Sequence, residues 1–254
     1  MKNIETKLFT EDHISQCNQI KNFCKTTHNL SPVNNVLLIC QKLRENAELK
    51  GDYVECGTFQ GNTLIPSAMY TNTFISEFRG YHVGIDTFEG FPKTTNHHKF
   101  DLPSHFEYLF ENDLISEDHY LKAKNRTKNF KDLSHLESEY FLDTKSILEI
   151  PKIIPSILLI KGTFDEVTPK FNNRISVLHL DGDLYESYLS CLNNLYDNVV
   201  KGGSIIFDEY YSHKYPGARV AVDEFFEDKE SEGYFEKYLT EEGHERWCFT
   251  KNKE

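Results

Sequence analysis

Short apolar runs recur along this chain at Tyr53–Cys56, Tyr81–Ile85, Ile157–Ile160, Ile175–Leu180 and Ser204–Phe207, with helical stretches between them. This spacing constrains the fold more than any other feature. The runs are too short for helices and too continuously apolar for strands with one wet face. They read as strands buried on both sides, the mark of a parallel sheet covered by helices. Leu184–Val199 and Arg219–Asp228 supply two covering helices. Gly61–Phe78 supplies a third, with Pro66 a mark against its continuity. Tyr234–Leu239 and Arg246–Thr250 read as a closing antiparallel pair. The expected fold is a doubly wound, Rossmann-like α/β domain spanning residues 1–254.

Two further segments frame that core. Residues 11–28 are polar with spaced apolar positions, and Ser31-Pro32 reads as an N-cap followed by an N1 proline. The helix after it carries Val33, Val36, Leu37, Cys40 and Leu43 at helical spacing to about Leu49, and Gly51-Asp52 ends it. These N-terminal helices (1–50) either cover the core or meet another subunit, so a homo-oligomer stays open. Residues 92–150 contain His97, His98, His105, His119 and His135 but no convincing strand. A connection of that length is more than a loop. It is expected to be a helical lid that caps a substrate.

Charge narrows the partners. Forty acidic residues stand against 28 basic ones, for a net charge of −12. That balance repels phosphate backbones and anionic lipid, which argues against nucleic acid and membrane. The most basic stretch, Lys122–Lys128, reads as a solvated helix face. The six cysteines are scattered without a CxxC pair, which suits buried thiols in a reducing compartment and does not suit zinc. The first residues lack a signal-peptide core, and no apolar run reaches membrane-spanning length. A soluble, cytoplasmic protein acting on a small molecule is expected.

In open α/β sheets ligands bind beyond the carboxyl ends of the strands. After the first strand comes Glu55-Cys-Gly-Thr-Phe-Gln-Gly61, a glycine turn whose backbone N–H groups suit a polar ligand. Phe59 stands where a GxGxxG fingerprint needs glycine, which disfavours a nicotinamide oxidoreductase. Asp86 closes the second strand, where a carboxylate can accept from a ribose diol. Glu55 and Asp86 together favour an adenosine-containing cofactor over a bland turn.

The strongest local signal is Leu180-Asp-Gly-Asp183. In an extended segment Asp181 and Asp183 lie on one side, about 6.5 Å apart. Asp208-Glu209 follows the next strand, so four carboxylates gather at two strand ends. A hard divalent cation resolves their repulsion. Asp181, Asp208 and Glu209 are the expected Mg²⁺ ligands and Asp183 the general base. Consecutive Asp208 and Glu209 reach one ion only if the strand has ended before them.

The segments VECGTFQGNT, GIDTFEGFP, IKGTFDEVTP, LHLDGDLYES and GGSIIFDEYYSHKYPGARVAVDEFF occur in an order that resembles the macrocin-type sugar O-methyltransferases, a class I S-adenosylmethionine-dependent group. The resemblance covers roughly residues 51–90 and 157–228. It implies a seven-stranded methyltransferase sheet, S-adenosylmethionine and Mg²⁺ as cofactors, and methyl transfer to a sugar hydroxyl. The acceptor would be a nucleotide-activated sugar or a glycosylated natural product. By the family pattern Asp181, Asp208 and Glu209 match metal ligands and Asp183 the base. Glu55, Gly57 and Asp86 match cofactor-binding positions, with Thr63 and Gly162 beside them. The family usually has two aspartates where this chain has Asp208-Glu209. Competing readings are a catechol or vicinal-diol O-methyltransferase and a non-catalytic methyltransferase-like binding subunit.

Overall fold

The computed structural model describes residues 4, 6–28, 30, 35–91, 99–130, 145–240 and 243–252. Its strands are β1 (Thr6–Leu8), β2 (Asp52–Cys56), β3 (His82–Asp86), β4 (Ile157–Lys161), β5 (Ile175–Leu180), β6 (Val199–Phe207), β7 (Gly233–Leu239) and β8 (Glu245–Lys251). They form one sheet in the order β4-β3-β2-β5-β6-β8-β7-β1. The strands from β4 through β6 are parallel, and β8 runs antiparallel to both β6 and β7. Every strand expected from the apolar runs is present. The sheet has eight strands where seven were expected, because β1 adds itself in parallel to the outer edge of β7.

The helices are α1 (Glu11–His28), α2 (Val36–Glu45), α3 (Leu64–Phe74), α4 (His105–Glu111), α5 (Glu117–Thr127), α6 (Phe164–Val167), α7 (Tyr185–Leu195) and α8 (Pro216–Phe226). Neighbouring residues on each central strand point to opposite faces, so each strand feeds two cores. Val54, Leu178, Ile205 and Phe249 join one core with Leu192 of α7 and Ala221 of α8. Tyr53, Val177, Ile206 and Cys248 join the other with Ile39 of α2 and Leu64 of α3. That two-sided burial is why the strand runs are unbroken in hydrophobicity. All six cysteines are buried and free.

Some boundaries differ from expectation for local reasons. Pro66 falls in the first turn of α3, where its missing N–H costs no intrahelical bond. The helix expected to run to Leu49 stops at Glu45, and Asn46 takes the C-cap. The Asn46 amide instead donates to the Ser176 carbonyl at 2.9 Å and the Ser204 hydroxyl at 3.0 Å, fastening α2 to β5 and β6. The expected Ser31-Pro32 cap lies outside the described residues. Within 92–150 the described residues are helical. Phe106 and Leu109 of α4 pack with Ile115 and Ala123 of α5, and Val220 of α8 packs against them. Among the described residues no helix is long and apolar enough to cross a membrane.

The β1 edge is held by charge. Glu236 of β7 is buried and receives the ammonium groups of Lys7 and buried Lys42, plus the Thr250 hydroxyl at 2.8 Å. Burial works to raise the Glu236 carboxyl, but Lys42, Lys7 and Thr250 outweigh it and hold it at about 2, below the ordinary 4.5. Because the folded value is depressed, the stability this group contributes is complete above about pH 4.5 and is lost as pH falls toward 2. Glu236→Ala would leave Lys42 with Glu45, 2.8 Å away, as its remaining carboxylate. We expect a loss of about 3 kcal/mol at neutral pH, read from urea midpoints. The gap between variant and parent should narrow below about pH 3, where the parent's carboxylate takes up its proton.

Candidate active site

The parallel register sets the candidate residues in one row along the carboxyl edge of the sheet. Beyond the last paired residues the ladder continues through backbone hydrogen bonds. Gly162 donates to Asp86 (3.0 Å), Gly57 to Ile85 (2.9 Å), Asp181 to Cys56 (2.9 Å) and Asp208 to Leu180 (3.0 Å). Gly57, Thr63, Asp86, Gly162, Asp181, Asp183, Asp208 and Glu209 therefore all line one cleft of about 1040 Å³. Single small-ligand pockets run to roughly 1,000 Å³, so two ligands fit side by side.

At one end of the cleft, glycine is required by space. Gly57 has φ +97°, and a Cβ there would meet the Asp181 carbonyl oxygen at 1.8 Å. The loop after β2 is therefore pressed against the loop after β5. Asp86 sits beside it and holds two turns at once. One carboxylate oxygen accepts from the Phe59 N–H at 2.8 Å and the other from the Phe88 N–H at 2.7 Å. Phe59 and Phe88 both have left-handed backbones, at φ +47° and +52°. Asp86 thus caps its own turn and also faces the cleft. The edge it borders, with glycine-lined backbone and a carboxylate at a strand end, suits a nucleoside-bearing ligand.

Glu55 lies elsewhere. It is fully buried behind β2, accepting from the Tyr53 hydroxyl at 2.5 Å and facing His179 Nδ1 at 3.3 Å. It is not among the residues that line the cleft.

In the middle of the cleft lie the carboxylates. β6 ends at Phe207, and Asp208 caps a 3₁₀ turn over Glu209–Tyr211. The strand has thus ended before Asp208, as a shared site demands. Two overlapping groups have ligand atoms within 4.8 Å of one another: His179, Asp181 and Asp208, and Asp181, Asp183 and Glu209. Asp208 and Glu209 fall in different groups, joined through Asp181. Asp183 belongs to a ligand-like group as well as standing where a base would. Its backbone is left-handed at φ +61°, a conformation that costs a non-glycine residue energy and recurs at functional sites.

The electrostatics have one cause. Burial raises Asp181, and repulsion from Asp208 raises it further. Burial raises Glu209, with Asp181, Asp208 and Asp183 adding to it. Tyr188 donates to Glu209 at 2.6 Å. Burial would raise Asp208 too, but His179 and Arg246 prevail and hold its carboxyl at about 2. Arg246 Nη1 lies 3.5 Å from Asp208 and His179 Nε2 lies 3.9 Å away, both ion-pair distances, and Asn35 donates to the same carboxylate. For His179 burial opposes protonation, yet Asp208 and Glu55 carry the imidazole to about 10. The buried carboxyls hold protons that a divalent cation would displace.

His179, Asn35 and Arg246 did not emerge from the sequence. His179 had a signal, being two residues before Asp181 on the same strand. Of the lid histidines, His119 is buried and donates to the Ser212 carbonyl at 2.8 Å, and burial takes its imidazole down to about 4. That is a structural post. His105 stacks on Tyr108, and His97, His98 and His135 lie outside the described residues.

The profile of the family described as macrocin O-methyltransferase (TylF) matches residues 33–235. The chain belongs to this family. Mycinamicin III 3''-O-methyltransferase of Micromonospora griseorubida is 23% identical over 176 residues, covering 69% of this chain and 60% of that protein. Demethyldecarbamoylnovobiocin O-methyltransferase of Streptomyces niveus is 39% identical over 70 residues, covering 27% and 26%. The chain thus spans less than two thirds of the length of these curated relatives. Among solved structures, the O-methyltransferase NovP superposes with a TM-score of 0.56 at 21% identity, over 87% of this chain and 80% of its own. The calicheamicin methyltransferase CalS11 gives 0.54 at 16%, over 97% and 95%. At those identities the likeness establishes a class I methyltransferase fold.

The glycine turn yields a test that needs no ligand. Gly57→Ala adds backbone strain and a collision with Asp181, whereas Gly243→Ala, at φ +76° with nothing within 4 Å, adds strain alone. We expect the second to cost about 1 kcal/mol and the first at least about 2 kcal/mol more, measured by urea unfolding.

Proposed function

We propose that this chain is an S-adenosylmethionine- and Mg²⁺-dependent O-methyltransferase acting on a sugar hydroxyl. The observation that carries the proposal is the continuity of the cleft from the Gly57 turn to the carboxylates of Asp181, Asp183, Asp208 and Glu209. Family membership supports the reaction class, and the names of the relatives support natural-product acceptors. The region 92–150 serves as a cap over the acceptor in this proposal.

Bound S-adenosylmethionine supplies a sulfonium methyl, and a bound divalent cation acidifies a hydroxyl that it touches. The chain does the rest. Gly57 and Gly162 let backbone approach the cofactor, Thr63 lines its pocket, and Asp86 accepts from its ribose hydroxyls while fixing the turns at Phe59 and Phe88. Glu55 acts from behind, through His179, which neutralises Asp208. Asp181, Asp208 and Glu209 hold the metal, and the length of Glu209 lets it join Asp181 and Asp183. Asp183 takes the proton of the acceptor hydroxyl on a carboxylate oxygen. Alignment of the hydroxyl with the methyl group is the main contribution of the fold, worth several powers of ten when reacting atoms sit about 3–3.5 Å apart.

Calorimetric titration with S-adenosylmethionine and S-adenosylhomocysteine tests the cofactor, and a gain of one methylene on a sugar, read by mass spectrometry, tests the reaction. Failure of both ligands to bind folded protein would remove the proposal. Asp181→Ala should abolish metal-dependent methylation and spare cofactor binding. Asp183→Asn should keep the metal and slow turnover by about 10²–10⁴-fold. An unchanged pH–rate profile in that variant would remove Asp183 as the base. Mg²⁺ binding should also release protons from Asp181 and Glu209, seen as a dependence of titration heat on buffer ionisation enthalpy.

A further inference from the structure

The charges that line the cleft are sorted by side. Among the described lining residues the cations are Arg126, Lys214 and Arg246. All three lie on the β6–β8 side, beyond Asp208. Arg126 comes from the last turn of α5, Lys214 from the loop before α8, and Arg246 from β8. The opposite side carries Asp86, Asp165, Glu166 and Glu186 and no lining cation. In a chain with 40 acidic against 28 basic residues, three cations converging on one wall of the cleft mark that wall as different.

The wall is built in place. His119 of α5 donates to the Ser212 carbonyl at 2.8 Å, which ties the helix bearing Arg126 to the loop bearing Lys214. The Ser212 hydroxyl accepts from the N–H groups of Lys214 and Tyr215, each at 3.0 Å, and fixes the loop's turn. His213 and His244 fill the space between, 5.7 Å apart and edge to face, and both line the cleft. Nε2 of His213 is buried without a hydrogen-bond partner, a cost that a ligand oxygen would relieve. Burial keeps both imidazoles in the neutral form, where each ring retains one N–H donor.

We propose that this wall seats the diphosphate of a nucleotide-activated sugar, placing the sugar's hydroxyls at the carboxylate cluster. The inference rests on the methyltransferase reading above and narrows its acceptor. A finished neutral glycoside offers nothing to three cations. A diphosphate brings two charges and several acceptor oxygens, the chemistry that paired Arg and Lys side chains recognise. The cleft volume of about 1040 Å³ accommodates such an acceptor beside the cofactor.

Metal-free protein saturated with S-adenosylhomocysteine is titrated with UDP, GDP and dTDP, then with the matching monophosphates and inorganic phosphate. At least one diphosphate should bind, more tightly than its monophosphate or phosphate, and less tightly as salt rises. Arg126→Ala and Lys214→Ala should each weaken it about tenfold and leave S-adenosylhomocysteine affinity unchanged. Arg126 is exposed and Lys214 half-buried, so both variants should fold, which circular dichroism checks. Three results would overturn the inference: no diphosphate binding by protein that binds S-adenosylhomocysteine, equal binding of phosphate, or undiminished binding by the double variant. Protein that fails to bind S-adenosylhomocysteine fails the methyltransferase reading itself, a separate outcome.

Discussion

The parallel hydrogen-bond ladder does more than join the strands of this sheet. It fixes the height at which each strand stops, and the stops are level: the Asp208, Asp181, Gly57 and Gly162 amides each close onto the neighbouring strand's end. Side chains distant in sequence are thereby delivered to one rim. A slip of one residue in β5 would turn Asp181 to the other face and Leu180 into the cleft. Dense burial on both sides makes such a slip prohibitive, because Val177 and Leu178 would exchange cores. The precision of the rim is borrowed from the hydrophobic interior.

What the rim concentrates is repulsion. Asp181, Asp183, Asp208 and Glu209 share a small volume, and the protein relieves part of the strain itself. His179 and Arg246 bear on Asp208, and Tyr188 donates to Glu209. That relief is lopsided. Asp208 is held ionised while Asp181 and Glu209 are driven toward the protonated form. The cluster is thus half neutralised by its own scaffold and half left for a cation, a division that keeps the empty site from unfolding the loops around it.

Much of this was legible in the chain. The apolar runs declared the central strands because strands buried on both faces cannot hide polar residues, and the acids declared the rim because each follows such a run directly. β1 was not legible, since three residues with Lys7 at their centre carry no pattern and are held by the buried carboxylate of Glu236. Nor was Arg246 beside Asp208, because β8 reaches β6 only after the chain has folded back through β7. His179 was hidden in plain sight inside a run that reads as apolar, its charge supported by Glu55 behind and Asp208 in front. Local sequence announces what a strand buries, whereas contacts between distant strand ends need the topology.

The Asp86 carboxylate, bridging the turns at Phe59 and Phe88, has a bearing on how quickly a ligand is received. Two left-handed backbones are already locked on either side of the opening, so the entrance does not wait for an arriving molecule to mould it. Encounter then resembles a key meeting a cut lock more than a hand closing, with little ordering entropy lost on arrival. Selectivity at that end of the cleft is correspondingly a matter of shape decided in advance, and a molecule that does not match the fixed outline is refused at the door.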